Sequence, residues 1–379
     1  MSMKLKRLYD EFGQSLWYDN ISRDLLDAGD IQSLVDQGVR GLTSNPSIFK
    51  KAITSGSAYD PQLQELARQD MPPEAIYEAL AIDDIRRAAD ILRPVYETSG
   101  GKDGFVSLEV SPLLAHKTEE TIAEAVRLFT KVDRPNLMIK IPGTPEGLPA
   151  IETCIAKGLN INITLLFSCE VYNQVVDAYF AGLEQRVERG ERIDSIGSVA
   201  SFFVSRVDTL VDNMLDEKIA GASGSEKAEL ESLKGKAGIA NAKLAYLIFK
   251  ERFNSPQWHA LAKKGAGLQR VLWASTSTKN PAYSDVLYVE NLIGPHTVNT
   301  APPETIEAFL DHGTLANRLD EGYDEAQQVV DDLAAHGIDM GKVTDQLLAE
   351  GVDKFDKPFN ALIDAIAEKA KKLAAPAAD

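Results

Sequence analysis

The sequence predicts an α/β chain folded as a closed (β/α)8 TIM barrel with additional helices, and three observations carry the prediction. Short apolar runs alternate with long amphipathic stretches from the start almost to position 300. Eight such runs can be counted, and none is followed by the glycine-rich fingerprint of a doubly wound dinucleotide fold. Most runs are near-continuously hydrophobic rather than alternating, the pattern of parallel strands covered on both faces.

The expected strands are residues 15–18, 38–43, 105–110, 137–141, 160–165, 196–203, 270–274 and 286–290. Among the helices between them, 118–131 takes Thr118 as its N-cap and Glu119 and Glu120 in its first turn. Ile122, Ala125, Val126 and Phe129 share its apolar face. Residues 73–96 form a longer helix with Pro94 near its end. The stretch 219–238, rich in Gly, Ser, Lys and Glu, reads as a charged, exposed insertion between helices. After Pro303 the pattern is helical only, through Leu310, Val329, Leu347 and Ile366, and the final AAPAAD reads as frayed. A barrel needs about 250 residues, so the 379 residues divide into a barrel over 1–300 and a helical extension over 301–379 packed on it.

Composition narrows the function. Forty Lys and Arg against 57 Asp and Glu give a net charge of -17. Such a surface repels nucleic acid and anionic lipid, so neither is an expected partner, and an anionic substrate would need a local basic pocket. Cys154 and Cys169 are too few for a disulfide framework, have no CxxC neighbour and read as buried free thiols. MSMKLKRLYDEF has no apolar segment after it, and no run approaches 18 apolar residues, so a cytoplasmic protein that does not span a membrane is expected.

Reactive groups in such barrels project from the C-terminal ends of strands. In NLMIKIPGTPEG, Lys140 interrupts an apolar strand; if Ile139 and Ile141 face outward, Lys140 faces the barrel interior. Burial penalises an ammonium and favours the neutral amine, a nucleophile for a carbonyl carbon. On spacing alone, an ion-paired interior lysine remains the more ordinary reading. In GVRGLTSNPSIFKKA, Thr43, Ser44 and Asn45 end a strand; Asn45 is either a hydroxyl-binding amide, an N-cap ahead of Pro46, or both. Asp19 and Glu109 are strand-end carboxylates and so acid/base candidates. Asn162 and Thr164 share one face of NINITLLFS. Ser201, Phe203 and Arg206, with Ser275 and Lys279, follow two late strands, where barrels often hold phosphate. An ordinary first-turn cation is the alternative for Arg206.

GLTSNPSIF and LMIKIPGTPEGLPAI, followed by INITLLFS, resemble the two signatures of the transaldolase family. The matching strand ends run from Asp19 to Lys279, so the resemblance covers roughly the first 300 residues. The length and WASTSTKNPAYSDVLYVENLIGP are similar to the longer subfamily, with extra helices after the barrel. The resemblance implies Lys140 as Schiff-base nucleophile, Asp19 as general base, and Glu109 acting with a water held by Thr164. It implies Asn45 and Asn162 on substrate hydroxyls, with Thr43 shaping the pocket. Ser201, Arg206 and Ser275 would hold a phosphate, with Phe203 packing beside it. Better-known members carry Arg two residues after the matching serine; here Lys279 stands four residues on, a point charge rather than a fork. The implied activity moves a dihydroxyacetone unit between sugar phosphates in the non-oxidative pentose phosphate pathway, without metal or organic cofactor, in a monomer or homodimer. A Schiff-base aldolase releasing free dihydroxyacetone is the near alternative. A silent scaffold barrel is the distant one, and it has no need of Lys140, Asp19, Glu109 and Thr164 together.

Overall fold

A computed structural model describes residues 3–374, so most of the terminal AAPAAD lies outside the described residues. Eight parallel strands close into a barrel in sequence order. They are β1 (Gln14–Tyr18), β2 (Leu42–Thr43), β3 (Val106–Glu109), β4 (Leu137–Pro142), β5 (Ile161–Leu166), β6 (Ser198–Phe203), β7 (Gln269–Ala274) and β8 (Thr297–Ala301). Closure is made by β8 on β1, in register from Gln14 opposite Thr297 to Tyr18 opposite Ala301. The strand period sorts the core. Leu16, Leu108, Ile139, Ile141, Ile161 and Ile163 pack among the helices, whereas Trp17, Met138, Val199, Leu272 and Val298 form a second cluster inside the barrel.

Seven of the expected strands are present and the eighth is not. Residues 286–290 fall largely in a short helix, Leu287–Asn291, whose Tyr288 and Val289 are buried. The true eighth strand reads TVNTA: Val298 and Thr300 face the barrel interior, while Thr297 and Asn299 are buried on the other face with polar partners, Gln14 Nε2 and Thr276 Oγ1, which each donate at 2.9 Å, so no apolar run marks it. The second strand shrinks to two residues. Gly38 is the left-handed cap of the helix Asp30–Gln37, with φ of 117°, and Gly41 passes so close to Trp17 that a Cβ there would lie 2.5 Å from the indole.

Two smaller expectations also change. Lys117, not Thr118, occupies the N-cap of the helix Thr118–Val132; Thr118 Oγ1 instead donates to the carbonyl of Glu146 at 2.7 Å, in the loop after β4. The insertion is not wholly exposed, because it contains the helix Gly224–Leu233, which buries Leu230 and Leu233. Cys154 is buried and Cys169 only half-buried; burial pushes both thiols up to about 12, which leaves them inert.

The N-terminal end of the barrel is closed by a buried ion cluster. Asp103 accepts hydrogen bonds from Ser15 Oγ (2.5 Å), Trp17 Nε1 (2.9 Å), Arg40 Nε (2.7 Å) and Arg270 (3.0 Å). Burial opposes its ionisation, but Arg270, Arg40 and Ser15 outweigh that and hold the carboxyl below its ordinary value.

A second buried carboxylate secures the insertion. Asp208, on the helix Ser205–Ile219, accepts from the Gly238 N–H at 2.6 Å and the Tyr288 hydroxyl at 2.8 Å. Burial outweighs both bonds and pushes its carboxyl up to about 6. A folded-state value above the unfolded one means that protonation favours folding. This contribution is complete below about pH 4 and is lost as pH rises through about 6, on the order of 3 kcal/mol. Asp208→Asn keeps an acceptor for Gly238 and is expected to flatten the Tm–pH curve across that window while raising Tm at pH 8. A variant curve parallel to the wild type would reject this assignment.

The C-terminal helix Met340–Ala374 returns to the barrel. Lys369 Nζ donates to the carbonyls of Ile53 and Gly56, and Tyr77 stacks edge-on between Phe49 and Phe359.

Candidate active site

The sequence-predicted site residues sit on the strands or just beyond their C-terminal ends: Asp19 after β1, Thr43 and Asn45 at β2, Glu109 at the end of β3, Lys140 within β4, Thr164 within β5 and Asn162 near the start of β5. Ser201, Phe203 and Arg206 follow from β6, and Ser275 and Lys279 from β7. All but Glu109 and Asn162 line one cavity of about 240 Å³ at the barrel mouth.

Parallel register places Glu109 beside Lys140 and Lys140 beside Asn162 on three adjacent strands. Lys140 is 6% exposed. Its Nζ donates to the carbonyl of Ser44 at 3.2 Å and forms an ion pair with Glu109 Oε2 at 3.5 Å. That separation is too long to count as a hydrogen bond, and Glu109 Oε2 is buried without a hydrogen-bond partner among the described residues. Burial raises the Glu109 carboxyl above its ordinary value despite the attraction of Lys140. Of the two sequence readings of Lys140, the ion-paired interior lysine is the one the structure shows.

Asp19 is held by a hydroxyl relay. Thr43 Oγ1 donates to Asp19 Oδ1 at 2.6 Å and lies 2.6 Å from Thr300 Oγ1. Thr43 has one hydroxyl proton, so Thr300 must donate to Thr43. Burial raises the Asp19 carboxyl, and the Thr43 bond and Lys140 oppose it incompletely.

On β5 a register shift between Ile163 and Leu166 re-aims the strand end. Leu165 adopts φ of 59°, a left-handed conformation costing on the order of 1–3 kcal/mol for a non-glycine residue. The preceding Thr164 is fully buried and lines the cavity, and its hydroxyl has no hydrogen-bond partner among the described residues. Asn162 sits below the cavity: its Nδ2 donates to Ser107 Oγ at 3.0 Å and its Oδ1 accepts from Ser201 Oγ at 2.7 Å. It braces Ser201. Asn45 fulfils the capping reading, since Oδ1 caps the helix Pro46–Thr54 through the Ile48 N–H at 3.0 Å; the residue also lines the cavity.

The far wall of the cavity is basic. Arg206 lies in the first turn of the helix Ser205–Ile219, its guanidinium 5.1 Å above the Phe203 ring. Burial lowers its pKa, with Glu109 and Glu350 acting against that. Ser275, at φ of 55°, lies 2.8 Å from Ser205 through their hydroxyls. Lys279 stands at the exposed rim and donates to Ser277 Oγ at 3.1 Å. Ser277 and Lys279 both line this wall. Lys140, Arg206 and Lys279 supply the local positive charge that an acidic chain needs to receive an anion.

Thr300 and Glu304 also line the cavity and were not singled out from sequence. Both depend on β8, which the sequence reading displaced. The polar end of TVNTA followed by PPE, a strand end before a proline-started helix, was the available signal.

Comparison with known proteins shows the family. The profile of the family described as Transaldolase/Fructose-6-phosphate aldolase matches residues 16–366, reaching into the C-terminal helix and past the first 300 residues that carry the motifs. The chain is 50% identical over 368 residues to a protein named Transaldolase from Trichodesmium erythraeum, covering 96% of this chain and 97% of that one. It is 51% identical over 368 residues to Transaldolase 2 of a Nostoc species, with coverage of 96% and 97%. Against Transaldolase of Thermobifida fusca it is 49% identical over 371 residues, with coverage of 97% and 99%. A closed barrel with a buried lysine ion-paired to Glu109, matched along nearly its full length, belongs to the transaldolase/fructose-6-phosphate aldolase family.

Proposed function

We propose that this enzyme, a transferase, moves a dihydroxyacetone unit from a ketose phosphate to an aldose phosphate through a Schiff base on Lys140. The donor is fructose 6-phosphate or sedoheptulose 7-phosphate, and the acceptor is erythrose 4-phosphate or glyceraldehyde 3-phosphate. The setting is the cytoplasmic, non-oxidative pentose phosphate pathway. The observation that carries the reading is a 6%-exposed amine in a closed-ended cavity, between Glu109 and Asp19, both with raised carboxyl pKa values.

The amine of Lys140 attacks the ketose carbonyl carbon, and the carbinolamine loses water to give an iminium. Thr164 Oγ1 and Glu109 Oε2, both lacking protein hydrogen-bond partners among the described residues, suit a water between them that carries the protons of these steps. Asp19 then takes the proton of the hydroxyl on the far carbon of the bond to be cleaved. The carbon–carbon bond breaks, its electron pair flows to the iminium, and the aldose phosphate leaves as an aldehyde. A carboxylate with a raised pKa is the stronger base for this step. The enamine attacks the acceptor aldehyde, Asp19 returns its proton to the new alkoxide, and hydrolysis frees the product ketose. Asn45, which caps its helix through oxygen, keeps its amide donors for a substrate hydroxyl. Ser201, Arg206, Ser275 and Lys279 receive the phosphate, with Phe203 beneath the guanidinium.

Borohydride added with fructose 6-phosphate is expected to fix a three-carbon adduct on Lys140, read by peptide mass spectrometry; labelling of another residue would sink the Schiff-base assignment. A coupled assay with and without erythrose 4-phosphate separates transfer from simple cleavage, because an aldolase would release free dihydroxyacetone without acceptor. Arg206→Ala is expected to raise KM for fructose 6-phosphate roughly 10- to 100-fold, the scale of one charge-assisted contact, while unphosphorylated substrates are little affected. Equal losses for both substrate types would remove Arg206 from the phosphate site.

A further inference from the structure

The end of β8 holds Asp19 twice. Its backbone does so through Ala301, whose carbonyl accepts the Asp19 N–H at 2.9 Å. Its side chains do so through Thr300, which strand pairing sets opposite Trp17, two residues before Asp19. Thr300 is 5% exposed and lines the catalytic cavity. Its Oγ1 lies 2.6 Å from Thr43 Oγ1, which in turn donates to Asp19 Oδ1 at 2.6 Å. Thr43 has a single hydroxyl proton and gives it to the carboxylate, so its bond to Thr300 is made by the Thr300 proton. The Thr300 oxygen then has only lone pairs left for the cavity, and the buried Thr43 hydroxyl is enclosed between two partners. Nothing in the proposed chemistry uses Thr300.

We propose that Thr300 is a positioning residue that acts through Thr43 on Asp19. It fixes the direction of the relay, so that Asp19 Oδ1 is occupied and Oδ2 is left to take the substrate proton, while its own oxygen accepts from a second substrate hydroxyl. The inference rests on Asp19 being the base for carbon–carbon cleavage. The physical reason is preorganisation. A hydroxyl free to rotate points its proton at a carboxylate only part of the time. With Thr300 donating behind it, the Thr43 hydroxyl has one orientation and is polarised into a better donor. The carboxylate is thereby held by a group that need not reorganise as the proton arrives. The charged groups that line the cavity with Asp19 are Lys140 from β4, Arg206 from the helix Ser205–Ile219, Lys279 from the loop after β7 and Glu304 from the helix Pro303–His312. Glu109 stands behind them, paired with Lys140. Removing the Thr300 hydroxyl leaves all five charges in the site.

The test compares two substitutions in the full-length enzyme, with fructose 6-phosphate and erythrose 4-phosphate as substrates. Thr300→Val keeps the shape of the side chain and removes the hydroxyl; Thr300→Ser keeps the hydroxyl and removes a methyl from a buried site. Thr300→Val is expected to lower kcat/KM roughly 5- to 10-fold, the scale of one neutral hydrogen bond. The acid limb of its pH profile is expected to move upward by roughly 0.3 to 0.5 units, because a Thr43 with no donor behind it stabilises the carboxylate less. Thr300→Ser is expected to stay near wild type in both. A packing role predicts the reverse order, since serine leaves a void and valine does not. Thr300→Val as active as Thr300→Ser, or an acid limb that does not move in Thr300→Val, overturns the inference. Asp19→Asn separates the two readings. If it abolishes turnover while Thr300→Val is normal, the base stands and only the Thr300 assignment falls. If Asp19→Asn stays active, the base reading fails and this inference with it.

Discussion

Lys140→Ala is expected to abolish turnover, by at least about 10^4-fold, while leaving the barrel folded. Among the described residues, the only other lysine lining the cavity is Lys279, at its rim, and the Arg206 guanidinium is no nucleophile. The fold survives because the charge left behind can neutralise. Glu109 already has a raised carboxyl pKa, and loss of its cation drives it further up, so the buried group becomes a neutral acid rather than an unpaired anion. Lys140→Arg should be equally inactive, since a guanidinium keeps the ion pair but cannot form the iminium. Circular dichroism and melting curves check the fold, and a coupled assay with borohydride trapping checks the chemistry. Substantial activity in either variant would be fatal to the Schiff-base reading.

Asp103→Ala is expected to cost about 3–5 kcal/mol of stability, the scale of breaking a buried ion network by removing one member. The loss follows from what remains: Arg40 and Arg270 would keep two charges at the closed end of the barrel, and Ser15 and Trp17 would lose their acceptor. Urea unfolding of the wild type and variant measures the difference, and a change under about 1 kcal/mol would show that the cluster contributes little. The sign with pH is opposite to that of Asp208. The Asp103 carboxyl is held below its ordinary value, so its contribution is complete above the unfolded value near 4 and disappears as pH falls through the folded one. The surviving folded variant should keep its catalytic constants, because Asp103 lies at the opposite end of the barrel from Lys140.

Local pattern explains which parts of the fold were legible. The first seven strands are short apolar segments between amphipathic helices, and their ends differ from the observed ones by a few residues. The eighth was misplaced because β8 puts Thr297, Asn299 and Thr300 among polar neighbours, whereas the apolar run before it feeds a short helix. The missed lining residues Thr300 and Glu304 follow from that single error. Thr118 looked like a cap because caps are recognised by residue type, but its hydroxyl found the Glu146 carbonyl across a loop instead.

By itself, the sequence determined the barrel class, the inward direction of Lys140 and the ring of polar residues at the strand ends. Strand period and strand order act over a few residues and can be read along the chain. Only the tertiary structure decided what those residues touch. Asp103 joins Ser15 to Arg270, 255 residues apart; Asn162 braces Ser201 rather than lining the cavity; and the C-terminal helix brings Gly351 onto Leu165. The burial and hydrogen bonding of Asp19, Asp103 and Glu109, and the carboxyl shifts that follow, depend on neighbours that are distant in sequence, so no local pattern contains them.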